Sequence, residues 1–176
     1  MFDEERNTRW RRASHGLHLI EPHLVDTVRA LGRIDADLFG RDVRYQKIDE
    51  ESPATNAEWE EIAEHSVPMG YLWVLGAYEV IRTLDEMFRK NSDQFQAQQH
   101  LDTEQLKIKF ERVRIPLAKL EPARRFKDTD YRFAMPTLIR GRGLGWTVSK
   151  EVLVSRGELS TQFLDYLEAL KRTVIP

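Results

Sequence analysis

The sequence predicts a mainly α fold: a helical bundle of about five to six helices with a small β-hairpin before the C-terminal helix. Three observations carry that prediction. Apolar residues from Ser66 to Asn91 recur at helical spacing along two faces, which marks a central helix. Capping signals stand ahead of several shorter apolar stripes. Only one stretch, from Gly145 to Val154, alternates in the manner of strands.

In chain order, Trp10, Ala13, Leu17 and Ile20 fall on one side of an N-terminal helix. After Pro22, a stripe of Leu24, Val25, Val28, Leu31, Ile34 and Leu38 predicts a second helix, with Gly40 placed for a left-handed C-terminal cap. Thr55-Asn56-Ala57-Glu58 has capping-box spacing and opens a short helix carrying Trp59 and Ile62. Ser66, with Pro68 in the first turn, is the expected N-cap of the central helix. That helix carries Val67, Tyr71, Val74, Tyr78 and Ile81 on one face. Trp73, Ala77, Val80, Leu84, Met87 and Phe88 follow the other, and Gly76 calls for close backbone packing.

The Gln-rich stretch Asn91–His100 then reads as a connection. Asp102-Thr103-Glu104-Gln105 opens a helix with the stripe Leu106, Phe110, Val113, Leu117 and Leu120, expected to kink at Pro116. Residues 145–148 and 152–154 flank Ser149-Lys150-Glu151 as a hairpin. Ser155-Arg156-Gly157-Glu158 is a second capping box, ahead of Leu159, Phe163, Tyr166, Leu167 and Leu170. Four tryptophans spread over separate elements suit core anchors.

The length of 176 residues fits one domain, 1–176, able to bury a core without staples. With no cysteine, disulfide scaffolds, thiol nucleophiles, thiolate zinc sites and iron–sulfur clusters are excluded. The apolar run Met69–Tyr78 is half a membrane span, and acids at positions 3–5 oppose an export signal. The expectation is a cytoplasmic protein with no membrane partner.

A net charge of −2 conceals a division. Leu106 to Arg142 holds eleven bases against four acids, a surplus of seven, so the remainder carries nine net negative charges. Asp49 to Glu64 alone holds seven acids and no base. Arginine supplies seven of the eleven bases, and its planar fork suits carboxylate and phosphate. Arg112, Arg124, Arg125, Lys127, Arg140 and Arg142 are therefore the candidate partner- or anion-binding residues. The partner is an acidic protein surface or a nucleic acid, although a pI near 6.2 does not favour bulk nucleic-acid binding. The competing reading sets the basic segment against the acidic segment of the same chain or of a symmetry mate, and a homodimer is a further possibility. Arg140-Gly141-Arg142-Gly143 could cradle an anion, but a strand follows it rather than a helix, so a tight entry into the hairpin is the simpler role.

Catalytic and metal signals are sparse, and the expectation is a non-enzymatic interaction or regulatory protein with no cofactor and no metal. His15 and His18 could begin a metal site only by recruiting His65 or His100 from other segments. Glu61 and His65 have the spacing of a helical surface pair. Asp128-Thr129-Asp130 sits among Arg125, Lys127 and Arg132, where ion pairing is the default, and Ser14 lacks the oriented acid of a triad. Arg12 and His18, with five residues between them, have a spacing that resembles the small all-helical ribonuclease domains of the HEPN type; Arg9 and His15 share it. The sequence departs from that family in placing Ala13 or Trp10 after the arginine and in carrying the pair near the N-terminus. The resemblance implies the enzymatic alternative, acid–base cleavage of RNA by Arg12 and His18.

Overall fold

A computed structural model describes residues 2–48 and 52–174. The chain folds into α1 (Glu4–Ser14), α2 (Leu24–Tyr45), α3 (Asn56–Glu61), α4 (Val67–Lys90), α5 (Ala97–Lys119) and α6 (Arg156–Val174). A three-stranded antiparallel sheet, β1 (Met135–Ile139), β2 (Gly143–Thr147) and β3 (Leu153–Ser155), precedes α6 in the order β1-β2-β3. The fold is the mainly α bundle that the sequence predicts.

Several boundaries differ from expectation for identifiable reasons. α2 continues through Gly40 to Tyr45, because Asp42 and Tyr45 extend its buried face beyond Leu38. Ser66 caps nothing: the chain stays helical from α3 through a π turn, Ile62–Ser66, into α4. The wider turn lies just ahead of Pro68, which has no N–H to give and would crowd the carbonyl four residues back. Ser66 instead bonds the Tyr45 hydroxyl at 2.9 Å. α5 begins at Ala97, where the Gln99 side chain accepts the Gln96 N–H at 2.8 Å, so the last four residues of the expected connection are helix. It runs on through Pro116 and ends at Leu120, whose φ of 56° is left-handed. The Ser155 box is half-formed: Ser155 Oγ accepts the Glu158 N–H at 3.4 Å, while the Glu158 carboxylate turns to Arg142.

The expected hairpin is present as β2 and β3, and β1 adds a strand in front of it. Pro136 hides β1 in the sequence, and an edge position is where a strand tolerates a proline. The β1–β2 turn closes with the Arg142 N–H on the Ile139 carbonyl at 2.9 Å. Gly141 and Gly143 take φ of 67° and 74° there, the region that glycine enters without penalty. At Gly143 space is also short, since an added Cβ would lie 2.9 Å from Asp42 Cβ. On the sheet, Leu144 and Trp146 are buried, while Met135 and Leu153 are exposed.

The bundle closes on four aromatic rings from four helices, Trp10 (α1), Trp73 (α4), Phe110 (α5) and Phe163 (α6), all fully buried. Trp10 meets Trp73 and Phe163 edge-on at 6.4 and 5.4 Å, and Phe110 meets Trp73 and Phe163 at 6.0 Å each. Such pairs contribute about 0.5–1.5 kcal/mol each beyond the area they bury. Gly32 lets α2 reach α1, because a Cβ there would overlap Trp10. Gly76 does not meet a neighbouring backbone; the space above it is taken by the Leu31 side chain.

Beside this cluster lies a buried ionic quartet that ties α1, α2, β2 and α6 together. The Arg156 guanidinium donates to Asp35 Oδ1 at 2.6 Å and to Asp42 Oδ2 at 2.6 and 2.8 Å. Arg6 donates to Asp35 Oδ2 at 2.5 Å and to Ser160 Oγ at 2.6 Å, and the Trp10 indole N–H also reaches Asp35 Oδ2. Asp42 Oδ1 accepts the Leu144 N–H at 3.0 Å. Burial pushes the Asp35 carboxyl upward, but Arg156 and Arg6 outweigh it and hold the group below its ordinary value. Pairing thus outweighs the cost of burial at Asp35, whereas at Asp42 burial outweighs Arg156 and the Leu144 N–H and pushes the carboxyl above its ordinary value.

Candidate docking surface

The basic segment covers the second half of α5, the α5–β1 connection, β1 and the β1–β2 turn, and most of its charge is answered nearby. Lys107 reaches the buried Asp85 at 2.5 Å and Lys109 the Gln162 amide at 2.9 Å. Arg112 forks onto Asp130 at 2.7 and 2.8 Å and lies over the Phe126 ring. Arg114 contacts Glu79 at 3.4 Å, Lys119 approaches Glu121 at 3.9 Å, and Arg125 donates to Glu104 at 3.1 Å. Arg142 forks onto Glu158 at 2.6 and 2.5 Å, which occupies the guanidinium that the glycine-flanked turn could have offered an anion. Arg140 is engaged as well.

Of the six residues singled out from the sequence, Arg124 and Lys127 stand apart. Together with Arg132 they are exposed and carry no ion pair among the described residues. Arg124 opens a three-residue 3-10 turn, Arg124–Phe126, and Lys127 follows it. Both line an open depression of about 360 Å³ whose apolar wall is Ile115, Pro122 and Ala123 and whose rim also holds Lys119, Glu111 and Glu121. The two acids are already occupied, Glu111 by the Tyr78 hydroxyl at 3.2 Å and Glu121 by Lys119. Leu120, 57% exposed, adjoins the rim, held out by its left-handed backbone. Next along the chain, Tyr131, Phe133 and Met135 are exposed. The arrangement can hold a carboxylate or phosphate against two unoccupied cations and cover an apolar side chain.

Among the described residues, the acidic segment does not answer these cations. Asp49, Glu50 and Glu51 lie outside the described residues. Among the others, Glu61 pairs with Arg41 and Arg44 of α2. Glu60 and Glu64 are exposed without an ion pair among the described residues. His65 does not pair with Glu61 as its spacing suggests; it contacts Asp37 at 3.2 Å. Burial raises the Asp37 carboxyl, yet hydrogen bonds from Arg41 and His65 bring it below its usual value. Trp59 is no core anchor: it is half exposed, while Trp10, Trp73 and Trp146 are buried.

The remaining candidates are dispersed. Arg12 lies exposed on α1, and His18 lies exposed on the 3-10 turn His15–Leu19 that follows. The His15 and His18 rings are 6.2 Å apart. Partial desolvation and the nearby Arg29, Lys171, His18 and Arg11 lower the His15 pKa. His65 and His100 are near Asp37 and Asp85 instead, and no group of three or more metal-type side chains forms among the described residues. Ser14 is spent on the Arg11 carbonyl at 2.8 Å, and Asp130 on Arg112. No helix among the described residues is long and apolar enough to cross a membrane.

Sequence reading missed Asp35, Asp42, Arg6 and Arg156. A signal for the two acids exists: Leu31, Asp35, Leu38, Asp42 and Tyr45 recur every three or four residues, which puts both aspartates on the apolar stripe. Comparison with known protein families, characterised proteins and solved structures finds no match to this chain.

Proposed function

We propose that this chain is a non-enzymatic docking protein that binds an acidic protein surface through the depression between α5 and the Arg124–Phe126 turn. The observation that carries the reading is the state of its cations. Arg124 and Lys127 line an apolar-walled depression and are unoccupied, whereas the neighbouring bases already hold acids. Exposed ion pairs contribute only about 0–1 kcal/mol, so Arg125 and Lys119 can also turn to a partner at small cost. A protein partner is favoured over nucleic acid because the free cations are few and apolar groups line the depression; a phosphate backbone calls for many contacts and a long basic track.

The test is fluorescence anisotropy with three labelled probes, an acidic peptide containing tryptophan, a single-stranded RNA and a DNA duplex, at low and near-physiological salt. The RNA samples are also run on a gel. The peptide is expected to bind best, and Arg124→Glu with Lys127→Glu to abolish that binding. Tighter binding of RNA or DNA with a steep salt slope would replace the protein partner with a nucleic acid. RNA shortening that His18→Ala removes would replace docking with catalysis.

A further inference from the structure

Building on that docking reading, we propose that the partner is a second copy of this chain, whose Trp59, Glu60 and Glu64 ridge docks into the Arg124/Lys127 depression. No residue of α3 is buried. Its helical turn is held by the Thr55–Glu58 capping box and by Glu61 on Arg41 and Arg44, so Trp59 contributes nothing to the core. Trp59, Glu60, Ala63 and Glu64 are all exposed and lie one and four residues apart along one helical path, an indole flanked by two unpaired carboxylates. A surface that matches it presents an apolar socket with cations at its rim, and Ile115, Pro122 and Ala123 with Arg124 and Lys127 form one, the rim acids Glu111 and Glu121 being held by Tyr78 and Lys119. A tryptophan seated in a pocket with charges at its rim is the usual composition of a binding hot spot.

Among the described residues, no ion pair joins the two surfaces within one chain. The described ion pairs of α3 run to α2, and those of the basic segment run to Glu79, Asp85, Glu104, Glu121, Asp130 and Glu158. Both surfaces are thus left for another molecule. A net charge of only −2 imposes little repulsion between copies. Because ridge and socket are different patches, the contact is head-to-tail, and repetition gives rings or open chains rather than a two-fold dimer.

Sedimentation velocity on the full chain over a wide concentration range tests this, using two variants whose folding is checked by circular dichroism. The ridge variant is Trp59→Ala/Glu60→Ala/Glu64→Ala, and the socket variant is Arg124→Glu/Lys127→Glu. Wild type is expected to gain mass with concentration and lose it with salt. Each variant alone is expected to stay monomeric, with self-association weakened more than about thirtyfold, the factor for losing a hot spot. Mixed in equal amounts, the two variants retain one intact ridge and one intact socket between them, so they form a 1:1 pair and grow no further. A monomeric wild type, assembly persisting in either variant, or a mixture that stays monomeric each overturns the proposal. If the wild type is monomeric while the socket variant alone loses the acidic peptide, self-docking fails and the docking reading stands. Loss of neither mass nor peptide in the socket variant removes both.

Discussion

The guanidinium of Arg156 is wholly out of water, with Asp35 on one side and Asp42 on the other at 2.6 Å. That of Arg124 projects from a three-residue turn and forms no ion pair among the described residues. The contrast between these two regions shows what an arginine does once its surroundings are known. A buried guanidinium survives only where every donor is met, so its partners are fixed and its role is to hold elements in place. An exposed one needs no partner to persist, and its attraction is left for whatever binds. A count of basic residues treats both alike.

Removing the charge from the buried region is the most direct way to break this contrast. Asp35→Asn leaves Arg156 and Arg6 short of their common carboxylate, and a loss of about 3–5 kcal/mol is expected in chemical denaturation, enough to unfold a marginal domain. The same carboxyl gives the buried region a pH signature. Its folded pKa is lowered, so its stabilisation is complete above the ordinary value of 3.8 and is lost as pH falls through the folded value below that. The Asp35 contribution to thermal melts should be a steepening decline on the acid side of 3.8, missing from the Asp35→Asn protein.

Gly143→Ala probes how tightly β2 is held to the quartet. It forces a side chain into a φ of 74° and to within 2.9 Å of Asp42 Cβ, so a loss above about 1 kcal/mol is expected. Arg142→Ala stands between the regions: it removes a forked but exposed pair with Glu158, for which about 0.2–1 kcal/mol is expected in the same denaturation experiment. The smallest effect on stability belongs to Arg124→Glu with Lys127→Glu, whose unfolding midpoint should match wild type while binding is lost. A stability loss comparable to that of Asp35→Asn would show that the rim is structural and erase the contrast.

Much of the bundle is legible in the sequence because helix periodicity and capping are local. The stripe from Trp73 to Phe88 and the box at Thr55 need only neighbours three or four residues away to be recognised. The boundaries that escaped depend on distant groups. Gly40 is a sound stop until Asp42 and Tyr45 find buried partners beyond it, and Pro136 argues against a strand until β1 proves to be an edge. The candidate surface was legible only as a region. Arg112, Arg125 and Arg142 are indistinguishable from Arg124 in sequence, since their acids come from Asp130, Glu104 and Glu158, and Trp59 looks like the other three tryptophans.

By itself, the sequence determined the helical class, the central helix, the C-terminal helix behind a hairpin and the separation of basic from acidic segments, because each is written in the spacing and composition of adjacent residues. Tertiary structure alone decided which charges are buried and paired, which remain open, and which tryptophan stays outside the core. Those properties depend on what the fold brings within hydrogen-bonding distance across more than a hundred residues, as it does for Asp42 and Arg156.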